Sequence, residues 1–145
     1  MIDYEVREAR DDAERQACYD IRQAVFVDEQ NVPEELERDE YDDSGSVHFI
    51  ALAEGVPLGT GRLRIVGGMA KVQRVAVLSV ARRTGAGQAL MEAMANHVRA
   101  HALAPVITLG AQETAIGFYE RLGYEGVGPM FDDAGIPHRE MRLTL

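Results

Sequence analysis

Seven consecutive residues, Arg82, Arg83, Thr84, Gly85, Ala86, Gly87 and Gln88, separate a β-branched run from a stretch with helical periodicity. A helix N-terminus presents unpaired backbone N–H groups and a partial positive charge. Glycines let that backbone approach an anion closely, and two arginines add forked donors matched to phosphate oxygens. Strand, glycine loop and helix in this order make a phosphate cradle. The loop alone is equally compatible with a tight helix entry whose arginines face water. Two other phosphate loops are excluded. A Walker-type loop ends in Gly-Lys-Ser/Thr, whereas Gln88 follows Gly87, and a dinucleotide fingerprint needs a small residue where Leu90 stands.

The elements that must position this loop follow from periodicity. Ile2, Tyr4 and Val6 alternate as a short strand. Ala13, Ala17, Ile21, Ala24 and Val25 share one helical face, with Asp11 or Asp12 as N-cap. Pro33 and the charged run over 34–46 predict a long irregular connection. Residues 47–55 and 57–68 read as a β-hairpin turning at Gly55-Val56-Pro57. Residues 70–78 are apolar enough for a central strand. Leu90, Met91, Met94 and Val98 place an amphipathic helix over 86–101. A buried strand over 106–111 precedes a short helix within 114–124, with Gly123 as its C-cap. Strands over 125–130 and 139–145 finish the chain, with turn-rich residues between them.

The chain of 145 residues fits one domain, 1–145. Its net charge of −9 is unevenly spread: −11 over 1–46 and +2 over 47–145. An acidic front half argues against nucleic acid as a partner. It either attracts a cationic small molecule or basic peptide, or is a solvated surface. Cys18 cannot form an internal disulfide and reads as a small buried hydrophobe. No targeting or membrane-spanning run and no metal-ligand spacing stand out, so the expectation is a soluble, cytoplasmic protein without a metal.

Four segments, in order, resemble the GNAT superfamily of acyl-CoA-dependent N-acyltransferases. Arg82-x-x-Gly85-x-Gly87 matches its signature [R/Q]-x-x-G-x-[G/A], and residues 71–94 resemble its strand, pyrophosphate loop and helix. Residues 115–128, "AIGFYERLGYEGVG", resemble its second signature. Residues 21–35 and 131–141 resemble the N-terminal arm and C-terminal hairpin of a small single-domain bacterial subgroup. The resemblance implies a mixed α/β fold. Its central, mostly antiparallel sheet would have about six to seven strands and about four flanking helices, with a splayed central strand pair.

It also implies a reaction: an acetyl group passes from acetyl-CoA to a primary amine of a small molecule or peptide, by direct attack. Backbone N–H groups of residues 83–88 and the Arg82 side chain would hold the CoA pyrophosphate. The backbones of Val75 and Val77 would line the pantetheine arm, with the Val77 N–H facing the thioester carbonyl. Tyr119 would be the general acid. The general base stays open among Glu29, His48, Asp132, Asp133, His138 and water, and Gln112 and Asn31 are further polar candidates for ligand contact. A non-catalytic acyl-CoA-binding module keeps the cradle without needing Tyr119, and a phosphate-binding domain unrelated to CoA is a third reading. The acceptor's identity and a homodimer are left open.

Overall fold

The computed structural model describes residues 2–145. The strands are β1 Glu5–Glu8, β2 Val47–Ala53, β3 Val56–Val66, β4 Met69–Val77, β5 Val106–Gln112, β6 Glu125–Asp133 and β7 Ile136–Thr144. They form one sheet in the order β1-β2-β3-β4-β5-β7-β6. Every neighbouring pair is antiparallel except β4 and β5, which are parallel. The helices are α1 Asp12–Arg22, α2 Glu34–Glu37, α3 Ala86–Ala100 and α4 Ile116–Arg121. The expected mixed α/β architecture with seven strands and four helices is thus observed.

Local chemistry explains the element ends. The Asp11 carboxylate accepts the Glu14 N–H at 2.8 Å, which makes Asp11 the N-cap of α1. The first strand starts at Glu5, later than alternation suggested, because pairing with β2 begins at Glu5↔Leu52. The last hairpin is longer than expected. Ala134 and Gly135 both take positive φ, 53° and 81°, so a two-residue turn closes it.

Helix α3 buries Leu90, Met91, Met94 and Val98 against Val72, Ile107, Leu109 and Met141 of the sheet. Burial of such side chains contributes about 1.5–3 kcal/mol each, so this layer anchors the loop that precedes α3. After α1 the coil widens into a π-helical stretch, Gln23–Glu29, with the Gln30 N–H bonded to the Val25 carbonyl at 3.2 Å. This stretch delivers Phe26, Glu29 and Gln30 to the cleft described below.

The charged run after Pro33 is neither irregular nor a simple solvated surface. Arg22 and Arg62, each 1% exposed, lie beneath it. Arg22 donates to Glu37 at 3.0 Å and to Asp42 at 2.7 Å. Arg62 donates to Asp42 at 2.8 Å and Asp39 at 2.7 Å. Arg74 adds contacts of 3.1 Å to Glu37 and 3.3 Å to Asp39. The acidic excess of the front half is therefore partly neutralised inside the fold. Cys18 is fully buried, and burial pushes its thiol up, consistent with a packing role.

Candidate active site

β4 and β5 pair only from Ala70↔Ile107 to Val72↔Leu109. Both strands continue beyond that point without each other, and a cleft of about 850 Å³ opens between them. A bulge in β4 shapes its wall. The β3–β4 register moves from Thr60↔Ala76 to Arg62↔Gln73, so Arg74 and Val75 together oppose Gly61. Arg74 has φ 56°, a left-handed conformation that its contacts to the Glu37 carbonyl and Asp39 hold in place.

Val77 lies just past the bulge. The next residue, Leu78, donates its N–H to Leu58 on the β3 side at 3.0 Å. Successive peptide groups of a strand point to opposite edges, so the Val77 N–H and C=O point into the gap. The carbonyl accepts from Arg82 Nε at 3.2 Å. Val75 and Val77 both line the cleft.

The glycine loop runs from Arg82 into α3. Arg82 N–H bonds the Ser79 carbonyl, and the first helical bond runs from Ala89 N–H to the Gly85 carbonyl. Among the described residues, the N–H groups of Arg83, Thr84, Gly85, Ala86, Gly87 and Gln88 have no protein acceptor. Gly85 adopts φ 94°, a conformation glycine accepts without a steric penalty. The Thr84 hydroxyl braces the loop through Tyr4 at 2.6 Å and the Ala81 carbonyl. This bare set of donors at a helix N-terminus fits an anionic group such as a pyrophosphate. The Arg82 guanidinium, expected to face phosphate, instead pairs with Glu29 at 2.8 Å. The Gln88 side chain is tied to Glu92 at 2.9 Å, so only its backbone is available.

Tyr119, on α4, is 9% exposed and lines the same cleft. Phe118 and Tyr124 hold its ring edge-on, at 5.0 and 5.9 Å. Burial pushes its hydroxyl up to about 12.

The base candidates separate by position. His138 faces the cleft from β7, stacked on Phe131 at 5.8 Å. Its Nδ1 lies 2.7 Å from the Ile136 carbonyl. A carbonyl only accepts, so Nδ1 carries the hydrogen and Nε2 of the neutral ring keeps its lone pair. Glu29 and Asp133 also line the cleft, but Glu29 is engaged by Arg82. His48 and Asp132 do not belong to the site. His48 is buried in β2 with Nε2 2.9 Å from the Asp42 carbonyl, and burial lowers its pKa. The exposed Asp132 carboxylate accepts the Gly135 N–H and closes the hairpin turn. Gln112 reaches the cleft and is clasped by Gln30 at 2.8 Å. Asn31 follows the π-helical stretch with φ 60°.

Sequence reasoning missed the apolar wall of Phe26, Val32, Leu36 and Phe131, and also Lys71 and Arg74. No local pattern marks them. They meet only because the π-helical stretch and the last hairpin face each other across the splay.

The acetyltransferase (GNAT) domain family matches residues 8–145. The chain belongs to the GNAT acetyltransferase family. It is 37% identical over 134 residues to the uncharacterized N-acetyltransferase YjcF of Bacillus subtilis (strain 168), covering 92% of this chain and 94% of that protein. The fold superimposes on the crystal structure of an acyl-CoA N-acyltransferase from Pseudomonas aeruginosa with a TM-score of 0.85. That pair shares 30% identity and covers 98% of this chain and 99% of the other. Escherichia coli ElaA gives a TM-score of 0.84 at 26% identity, over 98% and 99% of the two chains. Family membership makes this chain an acyl-CoA-dependent N-acetyltransferase, with an amine as acceptor. The bare loop donors and the splayed strands are the features of this GNAT protein that suit a CoA thioester. Among the described residues no helix is long and apolar enough to cross a membrane.

Proposed function

We propose that this chain transfers an acetyl group from acetyl-CoA to a primary amine of a small molecule or peptide, by direct attack of the amine on the thioester. The observation that carries this reading is the gap beyond Val72↔Leu109. It has bare loop donors at one end and Tyr119 and His138 on its walls. The backbone N–H groups of residues 83–88 bind the pyrophosphate. The exposed edge of β4 at Val75 and Val77 takes the pantetheine arm. The Val77 N–H donates to the carbonyl oxygen as negative charge develops there, an interaction that lowers such barriers by about 3 kcal/mol.

Two protons remain to be moved. Tyr119 stays protonated at neutral pH, gives its proton to the departing thiolate, and is reprotonated by the proton that the nitrogen sheds as the amide forms. His138 Nε2, directly or through water, takes the proton that the ammonium must lose before it attacks. Glu29 serves to hold Arg82 instead.

Cosubstrate binding is tested by thermal unfolding with acetyl-CoA. Ligand at about 100 times its dissociation constant adds about 2.7 kcal/mol. For a chain of this size that raises Tm by about 3–6 °C. Arg83→Glu places a negative charge beside the loop donors, where a helix N-terminus itself tolerates an acid. The shift at fixed acetyl-CoA is expected to shrink by at least half, while Tm without ligand barely moves. No shift at saturating acetyl-CoA would remove the basis for the transferase reading. His138→Gln is expected to lower kcat by about 10- to 100-fold near neutral pH. The deficit should narrow as pH rises and more of the amine is already unprotonated. A deficit of constant size from pH 6 to 9 would leave His138 a packing role only.

A further inference from the structure

Resting on the transferase reading above, we propose that the acceptor is an amine that also carries a carboxylate, and that Lys71 is the group that holds this carboxylate. Three of the cations lining the cleft already have acidic partners. Arg82 pairs with Glu29, Arg74 with Glu37 and Asp39, and Arg142 with Glu140. Lys71 lines the same cleft, is partly buried, and has no ion-pair partner among the described residues. A partly buried lysine that no acid contacts directly gains from an anion beside it, and Glu140, the acid within its field, is already bonded to Arg142 and Thr108.

The sheet register shows where that anion would sit. Lys71 is the cross-strand partner of Thr108, and Thr108 is the partner of Arg142. The three therefore form one row on one face of adjacent strands. Glu140 Oε2 accepts from Arg142 Nε at 2.6 Å and from the Thr108 hydroxyl at 3.1 Å. Arg142 and Glu140 cancel each other, and Lys71 supplies the excess positive charge at this end of the cleft.

The other end has the opposite character. Gln112 lies four residues beyond Thr108 on β5 and is the partner of His138. That is about 13 Å of strand at 3.3 Å per residue, to be covered by the acceptor and the reach of a lysine side chain together. Asp133, Tyr119 and His138 line the cleft, and the apolar wall from Phe26 to Phe131 runs beside it. An amine placed at His138 leaves the rest of the acceptor extending down the sheet towards Lys71. A free amino acid reacting through a side-chain amine, or a short peptide with a free C-terminus, has the required separation of charges. Of the acidic front half, which suggested a cationic acceptor or a solvated surface, Glu37, Asp39 and Asp42 are bound to Arg22, Arg62 and Arg74.

The test compares acceptors that differ only in the carboxylate. Short peptides are assayed as free acids and as C-terminal amides, and L-lysine against its decarboxylated diamine. The acid of each pair is expected to have a kcat/KM about tenfold or more above its partner, the range of one charge-assisted hydrogen bond, expressed mainly in KM. Lys71→Met should bring the acid-to-amide ratio close to one, and Lys71→Arg should retain most of it. Equal or better turnover of the amides, or an acid preference that survives Lys71→Met, overturns the assignment of the carboxylate to Lys71 while leaving the transferase reading intact. If acetyl-CoA raises Tm but no acceptor of either series is acetylated, this inference is overturned while the cosubstrate reading stands.

Discussion

Tyr119→Phe is expected to lower the single-turnover rate of acetyl transfer by about 10²- to 10⁴-fold, the range of a lost general acid. Acetyl-CoA should still bind, because the loop donors at residues 83–88 belong to α3 and its preceding turn, not to α4. The fold should survive too. The aromatic contacts to Phe118 and Tyr124 involve the ring, which the variant keeps. The pH dependence has a definite sign. Burial raises the Tyr119 hydroxyl to about 12, from an ordinary value near 10. The acid is therefore present throughout an assay from pH 6 to 9, and the wild-type rate has no alkaline limb from this group in that window. A raised folded-state pKa also means that stability linked to Tyr119 is complete below about pH 10 and lost as pH climbs towards 12. Full activity of Tyr119→Phe across pH 6–9 would remove the tyrosine from the chemistry.

Arg22→Met is expected to destabilise the protein by about 3–5 kcal/mol, read as a lower urea midpoint. Arg22 is 1% exposed and bonds both oxygens of Glu37, both oxygens of Asp42 and the Glu37 carbonyl. Its loss leaves two buried carboxylates with only Arg62 and Arg74 to balance them. Adding Asp42→Asn should recover part of the loss, since the uncompensated charge rather than the missing contact dominates the cost. Burial pushes the Asp42 carboxyl up, but the Arg22 guanidinium, the Asp39 N–H and Arg62 outweigh it and hold the group far below the carboxylate range. Stability from this group is present above the unfolded-state value near 4 and lost as pH falls through the folded value. The wild type should thus lose stability steeply below about pH 4, and Arg22→Met less steeply. An unchanged urea midpoint would show that Arg62 and Arg74 suffice. The variant should also raise the acceptor KM, because Glu37 and Arg74 are part of the cleft wall.

How much of this was legible without coordinates depended on the range of the interaction. The strand, loop and helix from Met69 to Ala100 could be read because each signal is local. β-branching, the glycines of the turn and the 3.6-residue recurrence of Leu90, Met91, Met94 and Val98 all act within a few residues. The same holds for Asp11 as a cap and for Gly123, which follows α4 with φ 96°. Resemblance extended that reading to Tyr119 and the splayed strands, which periodicity alone does not give.

The choice of base was not local. His48 reads as part of an apolar strand and His138 as part of a turn-rich hairpin, and neither placement by itself picks the base. What separates them is that one meets the Asp42 carbonyl inside the fold, while the other meets the Ile136 carbonyl at the lip of the cleft. The run after Pro33 looked like a solvated acidic stretch because its counter-ions come from α1, β3 and β4. Lys71 gained a role only when sheet register aligned it with Thr108 and Arg142, strands that are remote in sequence. Sequence by itself determined the glycine loop and the helices and strands around it, since their signals are written within one turn or one pleat. Tertiary structure decided which charges are paired and which face the cleft, because charge pairing depends on distances set by register and packing between distant segments.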